Sequence, residues 1–249
     1  MKTNQFILAC VICLVMASAR AQFGAGLASG GASFSKSTAK LFGENTNFSA
    51  TMEFQIQGDS TQGGVTVPAR ITYSEGKSRF EMDVTEMKGA NLEAGAGSKL
   101  KGLGMNKMIV ISRPDKKLSY TIYPGWRVYV ETPIQGGDAE KSETDFKIES
   151  TAAGKEVIAG HDCEKNTVVV TDKDGSRYES TVWNATDLNK FPVKIQQTQG
   201  NSLVTMTFTD VRLFKPDATL FEPPANYKKY DSMNSVIQDM MMEKGDGTK

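Results

Sequence analysis

The chain has 249 residues, with 29 basic and 29 acidic side chains, one histidine and three cysteines. A formal net charge of zero with no basic stripe argues against nucleic acid as a partner. Two of the cysteines lie near the amino terminus, so neither a disulfide framework nor a multi-cysteine metal site can hold the domain together, and an apolar core must do so.

The amino terminus, MKTNQFILACVICLVMASARAQ, joins Lys2 to an apolar run from Phe6 to Ala17 and then to the triplet Ala19-Arg20-Ala21. This is the pattern of a secretory signal peptide over residues 1–21, cleaved after Ala21. The run is shorter than the roughly 20 apolar residues that a membrane-spanning helix needs, and no later stretch approaches that length. An exported protein is expected, in the periplasm or cell envelope or secreted, with no transmembrane segment in the mature chain. Cys10 and Cys13 leave with the leader, and Cys163 is left alone. Residues 22–45 are rich in Gly, Ala and Ser and read as a flexible lead-in, with a short helix near Ser37 to Phe42.

From residue 46 the pattern changes. Phe48, Ala50, Met52, Phe54 and Ile56 alternate with polar residues, a period of two that places one row on a core and the other in water. The alternation returns in VTVPARITY and RFEMDV. Pro68, which lacks a backbone donor, predicts an edge or a bulge in its strand. Further strands read at KMIVIS, KLSYTIY, WRVYVET, DFKIES, NTVVVTD, RYESTVW, FPVKIQQTQ and SLVTMTFTDVRLF, with turn signals such as Arg113-Pro114-Asp115-Lys116 and Asp172-Lys173-Asp174-Gly175 between most of them. About ten or eleven short strands with hairpin-length connections predict a mainly β fold. The expected form is a strongly curved antiparallel sheet or unclosed β-barrel.

Two stretches break the alternation. Residues 88–107 are Gly-rich with spaced leucines, and read either as a lid-like loop or as a poorly ordered one. Near the carboxyl terminus, Asp231 or Ser232 can cap a helix over about 232–243 whose Met233, Ile237, Met240 and Met241 form an apolar stripe. That stripe either docks on the sheet as ordinary packing or, because methionines are adaptable, closes over a lipid or a partner.

His161 and Cys163, in GHDCEKNTVVV, lie two apart at the entry of a strand and share a side. A nucleophilic pair also needs an orienting group and oxyanion donors, and none is spelled nearby. Two ligands fall short of a zinc site, so a small buried hydrophobe is the favoured reading of Cys163. DKDGS at Asp172 to Ser176 resembles part of a calcium loop, but that frame puts Val170 and Thr181 at ligand positions, and a hairpin turn is preferred. Asn47-Phe48-Ser49 and Asn184-Ala185-Thr186 match the glycosylation triplet, which matters only in a eukaryotic secretory route.

SRFEMDV followed by NKMIVISRPDKKLSYTIYPGWRVYVETP resembles the LolA/LolB-like lipoprotein-carrier superfamily. The elements GKEVIAGHDCEK, the Trp183 before Asp187-Leu188, FPVK and LFEPPANY are similar to those of an uncharacterised exported bacterial family close to it. The resemblance spans residues 48–230. It implies a LolA-like β domain over 46–230, with a helix and tail over 231–249. A helix would plug a concave apolar face. It also implies a lining of Phe54, Ile56, Phe80, Met82, Ile109, Ile111, Tyr120, Ile122, Val128 and Val130, with Met233, Ile237, Met240 and Met241 as the lid. The expected function is binding of a hydrophobic ligand, an acyl chain or a lipidated partner. The alternative is a structural or interaction protein whose barrel is fully packed. No catalytic residue, metal or cofactor is expected.

Overall fold

A computed structural model describes residues 36–58, 64–89, 96–134, 146–199 and 201–246. The expected signal peptide, most of the expected lead-in and part of the Gly-rich segment lie outside these residues.

Twelve strands form one sheet: β1 (Asn47–Gly58), β2 (Val65–Ser74), β3 (Lys77–Asp83), β4 (Lys107–Arg113), β5 (Leu118–Tyr123), β6 (Val128–Pro133), β7 (Phe146–Ile158), β8 (His161–Asp172), β9 (Arg177–Ala185), β10 (Pro192–Gln199), β11 (Ser202–Arg212) and β12 (Lys228–Tyr230). Among the described residues three helices accompany them: α1 (Lys36–Lys40), α2 (Ala96–Gly102) and α3 (Met233–Asp246). The spatial order is β12-β6-β5-β4-β3-β2-β1-β11-β10-β9-β8-β7. Two meanders, β1 to β6 and β7 to β11, are therefore joined along the β1–β11 ladder. All pairings of named strands are antiparallel except β12 on β6. Adjacent strands rotate by roughly 20–25°, so a sheet this wide must curl, and it remains open with β7 and β12 as its edges.

The expected total is about ten or eleven strands; each run that alternation marks is a strand, and a further one, β12, brings the described residues to twelve. Its three residues, Lys228, Lys229 and Tyr230, are too few to show a period. The strand expected at DFKIES runs on to Ile158, and the one expected at NTVVVTD starts earlier, at His161. Pro68 lies neither on an edge nor at a bulge of the β1–β2 ladder, where it sits opposite Glu53. The β2–β3 ladder instead stops at Ala69 and Met82, and pairing resumes only at the Thr66–Lys88 bridge. Pro68 occupies the gap, where no donor is required.

One face of the sheet carries the main core. Register aligns Phe48 with Tyr73, Ala50 with Ile71, Met52 with Ala69 and Phe208, and Phe54 with Val67 and Met206. We call this the inner face. Phe42, just beyond α1, stacks on Phe48 at 4.9 Å between ring centroids and meets Phe191 and Phe208 edge-on at 5.4 and 5.5 Å. Offset and edge-on geometries add to the burial gained by rings of this size. Asn45 fixes the approach of this segment by donating to the Phe42 and Asn189 carbonyls.

Candidate functional site

The strands β4 to β6 carry buried apolar residues on both faces of the sheet. On the inner face Val110 stands opposite Phe80 and Thr121, and Thr121 opposite Val130. On the outer face Ile109 stands opposite Ile122, and Ile111 opposite Tyr120. A strand apolar on both sides needs two covers, and the carboxyl-terminal fifth of the chain supplies both.

The inner cover is α3. Ser232 caps it, its Oγ accepting from the Ser235 amide at 3.1 Å. Val236 is fully buried against Val128 and Val130, with Tyr123, Trp126, Tyr230, Met233 and Met240 packed around them. Asp239 ties the helix to β12, accepting from the Lys228 ammonium and the Tyr230 hydroxyl. The Lys228 hydrogen bond, then that of Tyr230, holds the Asp239 carboxyl below its ordinary range. Burial pushes the Tyr123 phenol up. The helix expected over 232–243 thus extends from Met233 to Asp246. Met233, Ile237 and Met240 are at least partly covered, whereas Met241 is 48% exposed and Val236, absent from the expected stripe, is the residue most deeply placed.

The outer cover is the segment after β11. A short 3₁₀ turn, Ala218–Phe221, is capped by Asp217 and buries Phe221 completely against Ile111, Tyr120 and Ile122, with Tyr227 beside them. Arg113 is the anchor. It reaches Asp115 through two nitrogens at 2.9 and 2.8 Å and also donates to the Phe221 carbonyl and to Glu222. Lys116 adds a contact to Glu222 at 2.8 Å. Desolvation works to raise the Glu222 pKa, but the hydrogen bonds from Lys116 and Arg113 outweigh it and the carboxyl is held low.

These two covers divide the expected lining. Phe54, Ile56, Phe80, Met82, Val128 and Val130 share the inner face, whereas Ile109, Ile111, Tyr120 and Ile122 point to the outer face beneath Phe221. The ten residues therefore do not form one cavity wall. On β5 the row that faces inward is Ser119, Thr121 and Tyr123. Alternation shows which residues share a side but cannot say which side is the inner one when both rows carry apolar groups.

The described part of the Gly-rich segment is docked. α2 packs beside the Val84–Glu86 turn, which Asp83 caps while also accepting from Asn106. The Trp126 indole donates to the Leu103 carbonyl at 2.6 Å. Gly125 passes so close that a Cβ there would meet the Gly104 carbonyl oxygen at 2.2 Å, so only glycine fits without a shift.

Cys163 is 3% exposed and its Sγ donates to the His161 carbonyl at 3.3 Å. Burial pushes its thiol up, opposite to what an attacking thiolate requires. The His161 Nδ1 lies 2.8 Å from Asp187, so the ring is directed at that carboxylate rather than at the sulfur. Asp172 makes the expected hairpin turn, accepting from the Ser176 amide.

No family model and no curated protein matches the chain. Among solved structures it is similar to the Mycobacterium tuberculosis lipoprotein LppX, with 12% identity over 71% of this chain and 91% of that one, at a TM-score of 0.39. It is also similar to LprF from Mycobacterium bovis (15% identity, 74% and 93% covered, TM-score 0.39). A LolA superfamily protein from Nitrosomonas europaea gives 8% identity, 76% and 96% covered, and a TM-score of 0.36.

Proposed function

We propose that this chain is an exported, non-catalytic cell-envelope protein that holds a hydrophobic ligand, an acyl chain or a lipidated partner, against the inner face of β3 to β6 beneath α3. The observation that carries the reading is the nature of the inner cover. α3 contributes no strand pairing to the sheet, rests on Val128 and Val130 through Met233, Val236 and Met240, and is tied by the single carboxylate of Asp239. Such a helix can lift without breaking a ladder, and its methionines can repack over an inserted chain. The lining under this reading is Phe80, Met82, Val128 and Val130, continued along the inner face by Phe54 and Ile56.

Native mass spectrometry of protein purified from cells tests the reading; lipid released on denaturation is the expected result, and a clean apo mass counts against it. Removal of residues after Tyr230 gives a second test. All twelve strands precede the cut, so the strand signal in circular dichroism should persist while Tyr123, Trp126, Val128 and Val130 become exposed and bind an apolar dye. Unchanged dye binding sinks the lid.

A second reading, a structural or interaction protein with a packed interior, is favoured by one observation. Val110 and Val236 are fully buried, as in a filled core. An apo mass together with unfolding of the truncated chain would select it.

A further inference from the structure

Across the inner face of β3, β4 and β5, one register row is made of serines. Ser78 stands opposite Ser112, and Ser112 opposite Ser119, with Tyr73 on β2 and Thr132 on β6 ending the row. The three serines are 2, 2 and 5% exposed. The next row is Phe80, Val110, Thr121 and Val130, and the one beyond it Met82, Met108, Tyr123 and Val128. The inner face therefore runs from an α3-covered apolar end to a polar end.

Within that polar row the serines are not equivalent. The Ser119 hydroxyl donates to the Ile111 carbonyl at 3.3 Å. The Ser112 Oγ is out of reach of water and has no hydrogen-bond partner, alone in this respect among the buried side-chain atoms of the described residues. A buried hydroxyl without a partner lowers stability through its lost hydration, whereas alanine of nearly the same shape would carry no such cost. An interior hydroxyl placed at a loss to the fold is the kind of group expected where a ligand supplies the missing partner.

We propose that Ser112 is the polar anchor of the ligand site: its hydroxyl donates to an acyl carbonyl oxygen, while the chain behind that oxygen lies along the apolar rows toward Val128 and Val130. This rests on the inner-face reading above and narrows the ligand to an acyl amphiphile, with a free carboxylate and an ester carbonyl as the two acceptors the experiment separates. A bare hydrocarbon would leave Ser112 as unpaired as it is without ligand.

The experiment measures displacement of an apolar fluorescent probe by palmitate, methyl palmitate and hexadecane, for the wild-type protein and for Ser112→Ala. Loss of one neutral hydrogen bond predicts methyl palmitate weakened roughly three- to tenfold, and loss of one to an ionised carboxylate predicts palmitate weakened roughly ten- to a hundredfold, with hexadecane unchanged. Weakening of palmitate alone assigns the acceptor to a carboxylate, and weakening of both assigns it to any acyl carbonyl. The unliganded Ser112→Ala protein should also melt at a higher temperature than wild type. In the comparison variant Ser119→Ala, whose hydroxyl is already engaged, stability should fall and the preference for acyl over hexadecane should stay. If wild type binds all three and Ser112→Ala keeps both acyl affinities, or melts lower than wild type, the anchor is overturned while the hydrophobic site stands. If wild type takes up none of the three, the inner-face reading fails and the anchor with it.

Discussion

The two edges of the sheet solve the same problem in opposite ways. At one edge, β6 is capped by three residues of β12 and lies between α3 on the inner face and the Phe221 segment near the outer one. At the other, β7 runs for 13 residues with its free side unpaired by any described strand, exposed on both faces for eleven residues in succession, Val157 by 65%. Composition explains the difference. β4 to β6 carry large apolar groups on both sides that cannot stay uncovered, whereas β7 carries Lys147, Glu149, Ser150, Thr151, Lys155 and Glu156 and loses little by facing water. Its charges and the register shift between Ala152 and Gly154 also discourage a second strand from adding to it.

If that contrast is right, the largest loss should come from the covered edge. Phe221→Ala empties the centre of the outer cluster and should cost about 3–5 kcal/mol in denaturant unfolding, the range for deleting a fully buried ring. A loss below about 1 kcal/mol would mean that the outer cover is dispensable.

The exposed edge should be only one strand deep. Cys163 on β8 stands opposite Glu156 of β7 yet is buried. Cys163→Ser should lower stability by roughly 1–3 kcal/mol, toward the low end because the hydroxyl can keep the bond to the His161 carbonyl. The same variant with no measurable change would place β8 in the wet arm as well.

Acid should act on the covers before the sheet. Asp239 and Glu222 both have depressed pKa values in the folded protein. A carboxylate depressed on folding contributes stability that is fully present above its unfolded value, roughly 3.9 for Asp and 4.3 for Glu, and lost as pH falls through the folded value. Dye binding at the covered edge should therefore rise below about pH 4, while strand content persists. Asp239→Asn should remove the acid dependence of α3 release; dye uptake with the same pH profile in that variant would move the latch elsewhere. The smallest effect belongs to Val157→Thr on the arm, within about 0.5 kcal/mol of wild type. A larger loss would show that the arm is covered in solution.

Legibility in the sequence followed burial on a single face. β1, with a clean apolar row against a polar one, was readable from Phe48 to Ile56. The far half of β7, from Thr151 to Ile158, reads only as a short strand or turn between Gly154 and Gly160, because a strand wet on both sides has no period and exists only through pairing with β8. β4 to β6 are readable as strands but not as faces, and the lining that the resemblance implies therefore mixes Ile109, Ile111, Tyr120 and Ile122 with residues of the inner face. In KLSYTIY the apolar row Leu118, Tyr120 and Ile122 was the natural choice for the core. The structure turns Ser119 and Thr121 inward because Phe221, about a hundred positions later in the chain, covers the other side. Long-range covering is not encoded in local alternation, and with it went the signal for Ser112.

The order in which the sheet's edge is closed sets a schedule for synthesis. β6 ends at Pro133 and the strand that caps it begins at Lys228. At roughly 5–20 residues per second of chain growth, an apolar ribbon with an unpaired edge stands open for on the order of 5–20 s before its neighbour exists. During that interval it is a template for any other nascent strand, whereas β7, made in the meantime, is safe from the moment it emerges. In a chain exported as it is made, residues 107–133 are therefore the segment that needs shielding as it emerges, and a holdase on the far side of the membrane should crosslink there and release once Lys228 to Tyr230 have followed.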